Sequence, residues 1–345
     1  MSPNPMDRLI FLQAPNVKMA TRKNLTARPV DAVEAAMQSS SIDRGHRLGN
    51  YYNYYYHHPP SNRIDVLEEA GLIDCIARRL LQNCDQTNTR KRNIGKEETL
   101  CQANGANSST RINSWTYCDL GCNEGNLTLT FADAVLKRCQ KLSGGDNGSQ
   151  SMECLGLDID PTLIERAIAK YGSLSEAKKS LHSRFETCNL CDESQHLSKY
   201  KAFLENYSEA QRFDLTTLFS TTMWIHIHAG DKGLRDFLRR TCDRTELLVV
   251  EPQISKCYGR ANTRLRKMNR PELDSVMAQS LSMRGNIEEE VENIILECGF
   301  RRLTSEEKGE SDEVSSGGDK ERAKRTAWKR LIQLYVRDEQ CIDKI

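Results

Sequence analysis

Two apolar strands that each run into an acid, with a glycine turn and a helix between them, constrain this chain more than any other feature. The first occupies residues 115–120 and carries Asp119 into the turn Gly121-Cys-Asn-Glu-Gly125, after which a helix begins at Asn126. The second occupies residues 152–157 and ends at Asp158-Ile159-Asp160-Pro161. A glycine turn at a strand end lets backbone approach a ligand with no Cβ in the way, and Gly121 and Gly125 suit that role. Asn123 stands where a middle glycine is usual and brings a side-chain amide that both donates and accepts hydrogen bonds. Asp158 lies where a carboxylate can hold ribose hydroxyls, whereas Asp160 and Pro161 have the character of an N-cap and a first helical residue. A generic turn between strand and helix is the plainer reading of the first segment alone. The second acid-tipped strand shifts the balance to a nucleotide-type cofactor, and the order Asp-x-Gly-x-x-x-Gly differs from the dinucleotide fingerprint.

The same alternation continues along the chain. Strands are expected at 183–190, 213–219 and 246–251, with helices at 161–171, near 194–209 and at 231–241. Regular alternation implies parallel strands joined by right-handed crossovers, hence an α/β, doubly wound sheet. Residues 300–304 and 330–336 are expected to add an antiparallel pair, giving seven strands, mostly parallel, with a C-terminal hairpin. Upstream, residues 63–81 place Leu67, Ala70, Ile73, Ile76, Ala77 and Leu80 on one face and predict an amphipathic helix. Residues 1–44 lack periodicity and read as a disordered tail, leaving 45–345 as one domain. Polar stretches near 84–114, 143–151 and 305–326 read as mobile insertions.

Composition narrows the partners. Lys plus Arg number 49 against 48 Asp plus Glu, a formal charge of +1, so any nucleic-acid contact comes from a local patch. The thirteen cysteines show no paired-ligand spacing, which points to reduced thiols, no metal, and a cytoplasmic or nuclear location. The lone Cys188-x-x-Cys191 reads as two small core residues. No stretch is long and apolar enough for a membrane span, and a monomer is expected.

Ligands of open α/β sheets bind beyond the carboxyl ends of the strands. There the chain carries Ser220-Thr-Thr-Met-Trp-Ile-His226-Ile-His228 after the fourth strand and Glu251-Pro-Gln253 after the fifth. Each residue has an ordinary alternative: His226 as a satisfied buried imidazole, Glu251 as a helix cap, Trp224 as packing. Clustering after successive strands favours a reaction site.

These segments carry a resemblance. The Asp-x-Gly-x-x-x-Gly turn paired with Asp158 resembles the class I S-adenosylmethionine methyltransferase fold, which is Rossmann-like. Taken with Gly49-Asn-Tyr, Asp-Leu-Gly-Cys-Asn-x-Gly, Leu-Asp-Ile-Asp-Pro, Thr-Met-Trp-Ile-His and Val-Glu-Pro-Gln, it is similar to the bicoid-interacting family of RNA methyltransferases. Within that family, Met223 and the run Lys256-Cys-Tyr258 followed by Arg264-Leu-Arg-Lys267 are closer to the branch acting on RNA 5′-monophosphates than to the branch that caps triphosphates.

The resemblance implies S-adenosylmethionine as cofactor and an RNA 5′-phosphate end as acceptor. Arg63 would bind the cofactor's carboxylate, Asp158 its ribose, Asn189 and Leu190 its adenine, and Phe219 would be an apolar contact. Asn189 stands where the family has Asp. Asp119, Gly121, Asn123, Gly125 and Ile159 complete the expected cofactor set. A terminal phosphate is mostly dianionic at neutral pH, with a second pKa near ~6, so its oxygen needs alignment more than a base. His226 and Lys256 are the first candidates to align it, with Tyr56 from the Tyr54–Tyr56 run, His57, His58 and Glu251 as further ones. The Tyr-rich run reads equally well as packing. Arg260, Arg264 and Lys267 share a helical face that could track an RNA backbone, within a wider basic set of Lys256, Arg266 and Arg270. A solvated helix face is the ordinary explanation of such charges. The alternatives are methylation of a 5′-triphosphate and a catalytically inactive RNA-binding scaffold.

Overall fold

The structure is a computed structural model that describes residues 49, 51, 52, 54–94, 113–144, 150–172, 180–208, 210–267, 281–303, 326 and 330–338, without side chains at 84–94, 113 and 264–267. The expected tail at 1–44 and nearly all of the expected 305–326 insertion lie outside it. A short helix α1 (Tyr54–His57) leads into α2 (Ser61–Glu69) and α3 (Leu72–Ile94). The single helix expected over 63–81 is thus two, because Gly71 adopts φ 66° and ends the first in a left-handed residue. Residues 84–94, expected within a loop, continue α3.

From there the elements alternate: β1 (Asn113–Leu120), α4 (Asn126–Leu142), β2 (Gln150–Asp158), α5 (Pro161–Tyr171), β3 (Leu181–Thr187), α6 (Glu193–Tyr207), β4 (Phe213–Phe219), α7 (Thr222–Asp243) and β5 (Thr245–Glu251). After them come α8 (Ser255–Lys267), a 3-10 turn at Ser282–Asn286, α9 (Ile287–Glu297), β6 (Phe300–Arg302) and β7 (Gln333–Arg337). The sheet order is β3-β2-β1-β4-β5-β7-β6. The first five strands pair in parallel, and β7 pairs antiparallel with both β5 and β6.

Both faces of this sheet are buried, as parallel sheets require. In β1 the pleat sends Trp115 and Tyr117 into the layer of α2, α3 and α4, and Cys118 and Leu120 into the layer of α6, α7 and α9. Cys188 and Cys191 pack in the second layer. Among the described residues no helix is long and apolar enough to cross a membrane.

Two boundaries differ from expectation in ways that move functional residues. The helix after β4 begins at Thr222, not 231, and its backbone departs from helical geometry only at Gly230, with φ 72° and ψ −176°. His226 and His228 therefore lie on a helix and not on a loop. Strand β3 stops at Thr187, so Asn189 and Leu190 lie in the loop that follows, whose course is set by a hydrogen bond from Cys188 N to Asp158 O at 2.8 Å.

Candidate active site

A cavity of about 460 Å³ opens at the carboxyl ends of β1, β2, β4 and β5, where the strand order reverses. Asp119, Gly121, Asn123, Asp158, Ile159, Asn189, Leu190, Phe219 and Arg63 all line it. Gly125 does not. Its φ of 75° turns the chain into α4 at a point where a Cβ would press on the Phe185 ring.

The loop after β1 owes its shape to three left-handed residues, Gly121 at φ 87°, Asn123 at φ 54° and Gly125. Asparagine tolerates that region better than other residues bearing a Cβ. Asn123 also does what glycine could not: its Nδ2 donates to Tyr51 O at 3.2 Å, and its Oδ1 accepts from Glu124 N at 2.9 Å. The amide thus ties the segment upstream of α1 to the glycine loop. A Cβ on Gly121 would collide with the Thr221 hydroxyl, which itself donates to Leu120 O at 2.8 Å. Gly121→Ala is therefore expected to lower stability by roughly 1–3 kcal/mol through combined strain and overpacking, read as a shift of the urea midpoint at constant m-value.

Asp158 is buried and accepts one backbone N–H on each oxygen, from Asn123 at 2.9 Å and from Asp160 at 3.0 Å. A carboxylate has about four lone-pair sites, so each oxygen can accept one bond more. Burial pushes its pKa up to about 6, against the pull of those two amides. Asp160 is the N-cap of α5, accepting from Thr162 N at 2.8 Å, and also takes the Tyr52 hydroxyl at 2.9 Å. Asp119 is raised by burial and held by the hydroxyls of Thr128 at 2.5 Å and Thr217 at 2.7 Å, which join β1 to α4 and β4.

At the far end of the cavity Arg63, from α2, is buried and paired with Glu251 at 3.0 Å. Its guanidinium also donates to Ser220 Oγ at 2.9 Å and Tyr54 Oη at 3.2 Å. Burial alone would lower its pKa, but the Glu251 carboxylate and the two tyrosines Tyr54 and Tyr55 raise it, so the charge is permanent. Ser220 in turn donates to Glu251 at 2.8 Å. Gln253 accepts from Met223 N at 2.9 Å and from the Thr222 hydroxyl at 3.1 Å, and donates to Ser220 O. The Glu-Pro-Gln segment is thus a clamp that fixes Arg63, Ser220 and the first turn of α7 against one another.

Of the residues expected to act on the acceptor, His57 and His58 line the cavity, whereas His226, Lys256, Tyr56 and Glu251 do not. Glu251 is wholly buried behind Arg63 and Ser220. Lys256 is exposed on α8, and Tyr56 is 84% exposed on α1 because α1 turns Tyr54 and Tyr55 inward instead. His226 is buried, with Nδ1 against Tyr258 Oη at 2.8 Å and Nε2 against Asp231 at 2.6 Å, and Asp231 continues to Ser282 N at 3.0 Å. Burial lowers the imidazole's pKa despite Asp231, so the ring is a neutral link that pins α8 and the 3-10 turn to α7. Besides Arg63, the cations and imidazoles that line the cavity are His57, His58, His228, Arg260 and Arg330. Arg330 has no distinct sequence signal, standing directly after Lys329 at the end of a basic stretch ahead of an apolar strand. The side chains of Arg264 and Lys267 lie outside the described residues.

The residues fit S-adenosylmethionine. Arg63 would answer its carboxylate, Asp158 retains two acceptor positions for vicinal hydroxyls, and Ile159, Leu190 and Phe219 offer apolar surface. Gly121 lines the cavity with backbone, and the place of its absent Cβ is taken by Thr221. Among the described residues no cluster of His, Cys, Asp and Glu could hold a metal ion.

The sheet order and this site define a Rossmann-like protein of the class I methyltransferase fold. A sequence model of the Bicoid-interacting protein 3 (Bin3) family matches residues 213–337. The pre-miRNA 5′-monophosphate methyltransferase of Danio rerio is 30% identical over 239 residues, 69% of this chain and 78% of that protein. The same enzyme of Xenopus laevis is 31% identical over 255 residues, 74% of this chain and 84% of it. The RNA 5′-monophosphate methyltransferase of Homo sapiens is 32% identical over 180 residues, 51% and 57% of the respective chains. The chain belongs to the Bicoid-interacting protein 3 family.

Proposed function

We propose that this protein transfers a methyl group from S-adenosylmethionine to a terminal oxygen of a 5′-monophosphate on RNA. The observation that carries the reading is one continuous cavity. It joins Arg63 and Asp158, suited to the cofactor, to a mouth bearing His57, His58, His228, Arg260 and Arg330. The activities for which the relatives are named point the same way.

The cofactor supplies an electrophilic methyl on a sulfonium. The phosphate oxygen forms a bond to that carbon as the carbon–sulfur bond breaks, the electron pair stays on sulfur, and a dianion becomes a monoanionic methyl ester. No proton has to move when the acceptor is the dianion. The protein's work is to align donor and acceptor and to keep water from the reacting centre. Tyr54, Tyr55, Trp224 and Phe219 wall the cavity with aromatic surface, while the cations and imidazoles at its mouth favour the acceptor's charge. Arg260, on the exposed side of α8, begins the track for the RNA backbone, with Arg264 and Lys267 one and two turns further along. His226 and Glu251 act in this reading by positioning α8 and Arg63.

Labelled methyl should pass to RNA with a 5′-monophosphate and not to the same RNA with a 5′-hydroxyl. Transfer confined to 5′-triphosphate RNA, or none to any 5′ end, would overturn the assignment. A pH effect follows from Asp158. The ribose hydroxyls need its charged form, and the free protein's carboxyl titrates near about 6. Protonation therefore competes with binding: calorimetric cofactor affinity should be flat above pH ~7 and fall about tenfold per unit below pH ~6. Because the phosphate is absent from that titration, its own ionisation cannot produce the effect.

A further inference from the structure

We infer that Arg330 grips the terminal phosphate of the acceptor and so selects phosphorylated ends, an inference that rests on the proposed function. Arg330 reaches the cavity from just ahead of β7 and meets Ser220 there. Its backbone is braced by Thr326, whose N donates to Arg330 O at 2.9 Å and whose hydroxyl accepts from Arg330 N at 3.3 Å.

Both guanidinium groups converge on one hydroxyl. Ser220 Oγ accepts from Arg63 at 2.9 Å and from Arg330 Nη1 at 2.5 Å. Glu251 pairs with Arg63, which also donates to the tyrosine hydroxyl of Tyr54. Arg330 Nη2 instead donates to Cys257 Sγ at 3.5 Å, on the first turn of α8, and the next turn of that helix brings Arg260 and Ala261 into the same cavity wall. Ser220 is thus the boundary between two anion subsites, one beside α2 and one between β7 and α8. The first suits the cofactor's carboxylate. The second faces the helix that carries the basic ridge, where an RNA end would arrive.

The hydroxyl and the thiol that Arg330 meets at this boundary are neutral acceptors. A phosphate dianion offers charge-assisted, bidentate acceptors, which a guanidinium binds more strongly than either. Methylation removes one negative charge and turns one terminal oxygen into an ester, so the same guanidinium holds the product less tightly than the substrate.

The test uses the full chain with Arg330→Gln and Arg330→Lys. For Arg330→Gln, KM for 5′-monophosphate RNA should rise at least about tenfold, the loss expected for a hydrogen bond to a charged group, while the cofactor Kd stays within about twofold. Arg330→Lys should recover part of the loss by restoring the charge without the fork. In binding measurements, the wild type's preference for a 5′-phosphorylated over a 5′-hydroxyl oligonucleotide should vanish in Arg330→Gln. A cofactor Kd that weakens in step with KM would reassign Arg330 to the cofactor and overturn the inference, as would an unchanged preference for phosphate. Failure of the proposed function looks different: the wild type itself would transfer no methyl to either end and would not distinguish them.

Discussion

Glu251→Ala is expected to lower the stability of this protein by about 3–5 kcal/mol, a large part of the 5–15 kcal/mol typical of folded domains. The mutation leaves Arg63, whose side chain is 3% exposed, with its charge and without the carboxylate 3.0 Å away. The Ser220 and Tyr54 oxygens remain as acceptors, but neither carries charge. Removing both ions should be far gentler. Arg63→Met with Glu251→Leu replaces a buried pair by apolar volume, and such exchanges are often neutral or stabilising. Urea denaturation of the two single variants and the double variant would give the coupling, expected at well above 1 kcal/mol. Methyl transfer should not return in the stable double variant, because the cofactor's carboxylate would then have lost its guanidinium. Recovered activity there would show that the pair serves the fold alone.

Asp158→Ala is expected to weaken cofactor binding at least about 100-fold, since two hydrogen bonds to a charged acceptor are each worth about 1.5–3 kcal/mol. Its effect on folding should be smaller and of mixed sign. The variant deprives the Asn123 and Asp160 amides of their acceptor, but it also removes a buried carboxylate whose pKa burial has already raised to about 6. A protein that melts near the wild-type temperature, yet shows no calorimetric cofactor binding at concentrations that saturate the wild type, is the expected outcome. Retained affinity would remove Asp158 from the site. Asn123→Gly makes a useful companion, because it keeps the left-handed turn while cutting the tie to Tyr51.

Much of this architecture is legible in the chain. Apolar runs broken by helical patterns mark the strands of the sheet, and Asp160-Pro161 marks the start of α5 to the residue because capping is local chemistry. Boundaries are less legible where a long-range bond decides them. Thr222–Ile227 reads as loop, yet Gln253, some thirty residues on, supplies the acceptor for Met223 N and starts the helix early. Amphipathic periodicity runs through 63–81 without interruption, whereas one left-handed glycine divides it.

The amino-acid sequence by itself determined the alternating sheet, the cofactor loop with its asparagine and the acid that ends β2, because each depends on residues close together in the chain. Only the tertiary structure decided which charged groups face the cavity. His226 and Glu251 turn inward to hold helices and an arginine, Tyr56 and Lys256 turn outward, and Arg330 comes to Ser220 across 110 positions. The physical reason is that side-chain direction at a sheet's carboxyl edge depends on which strand ends lie side by side. The order β5-β7-β6, with β7 antiparallel, brings Arg330 there.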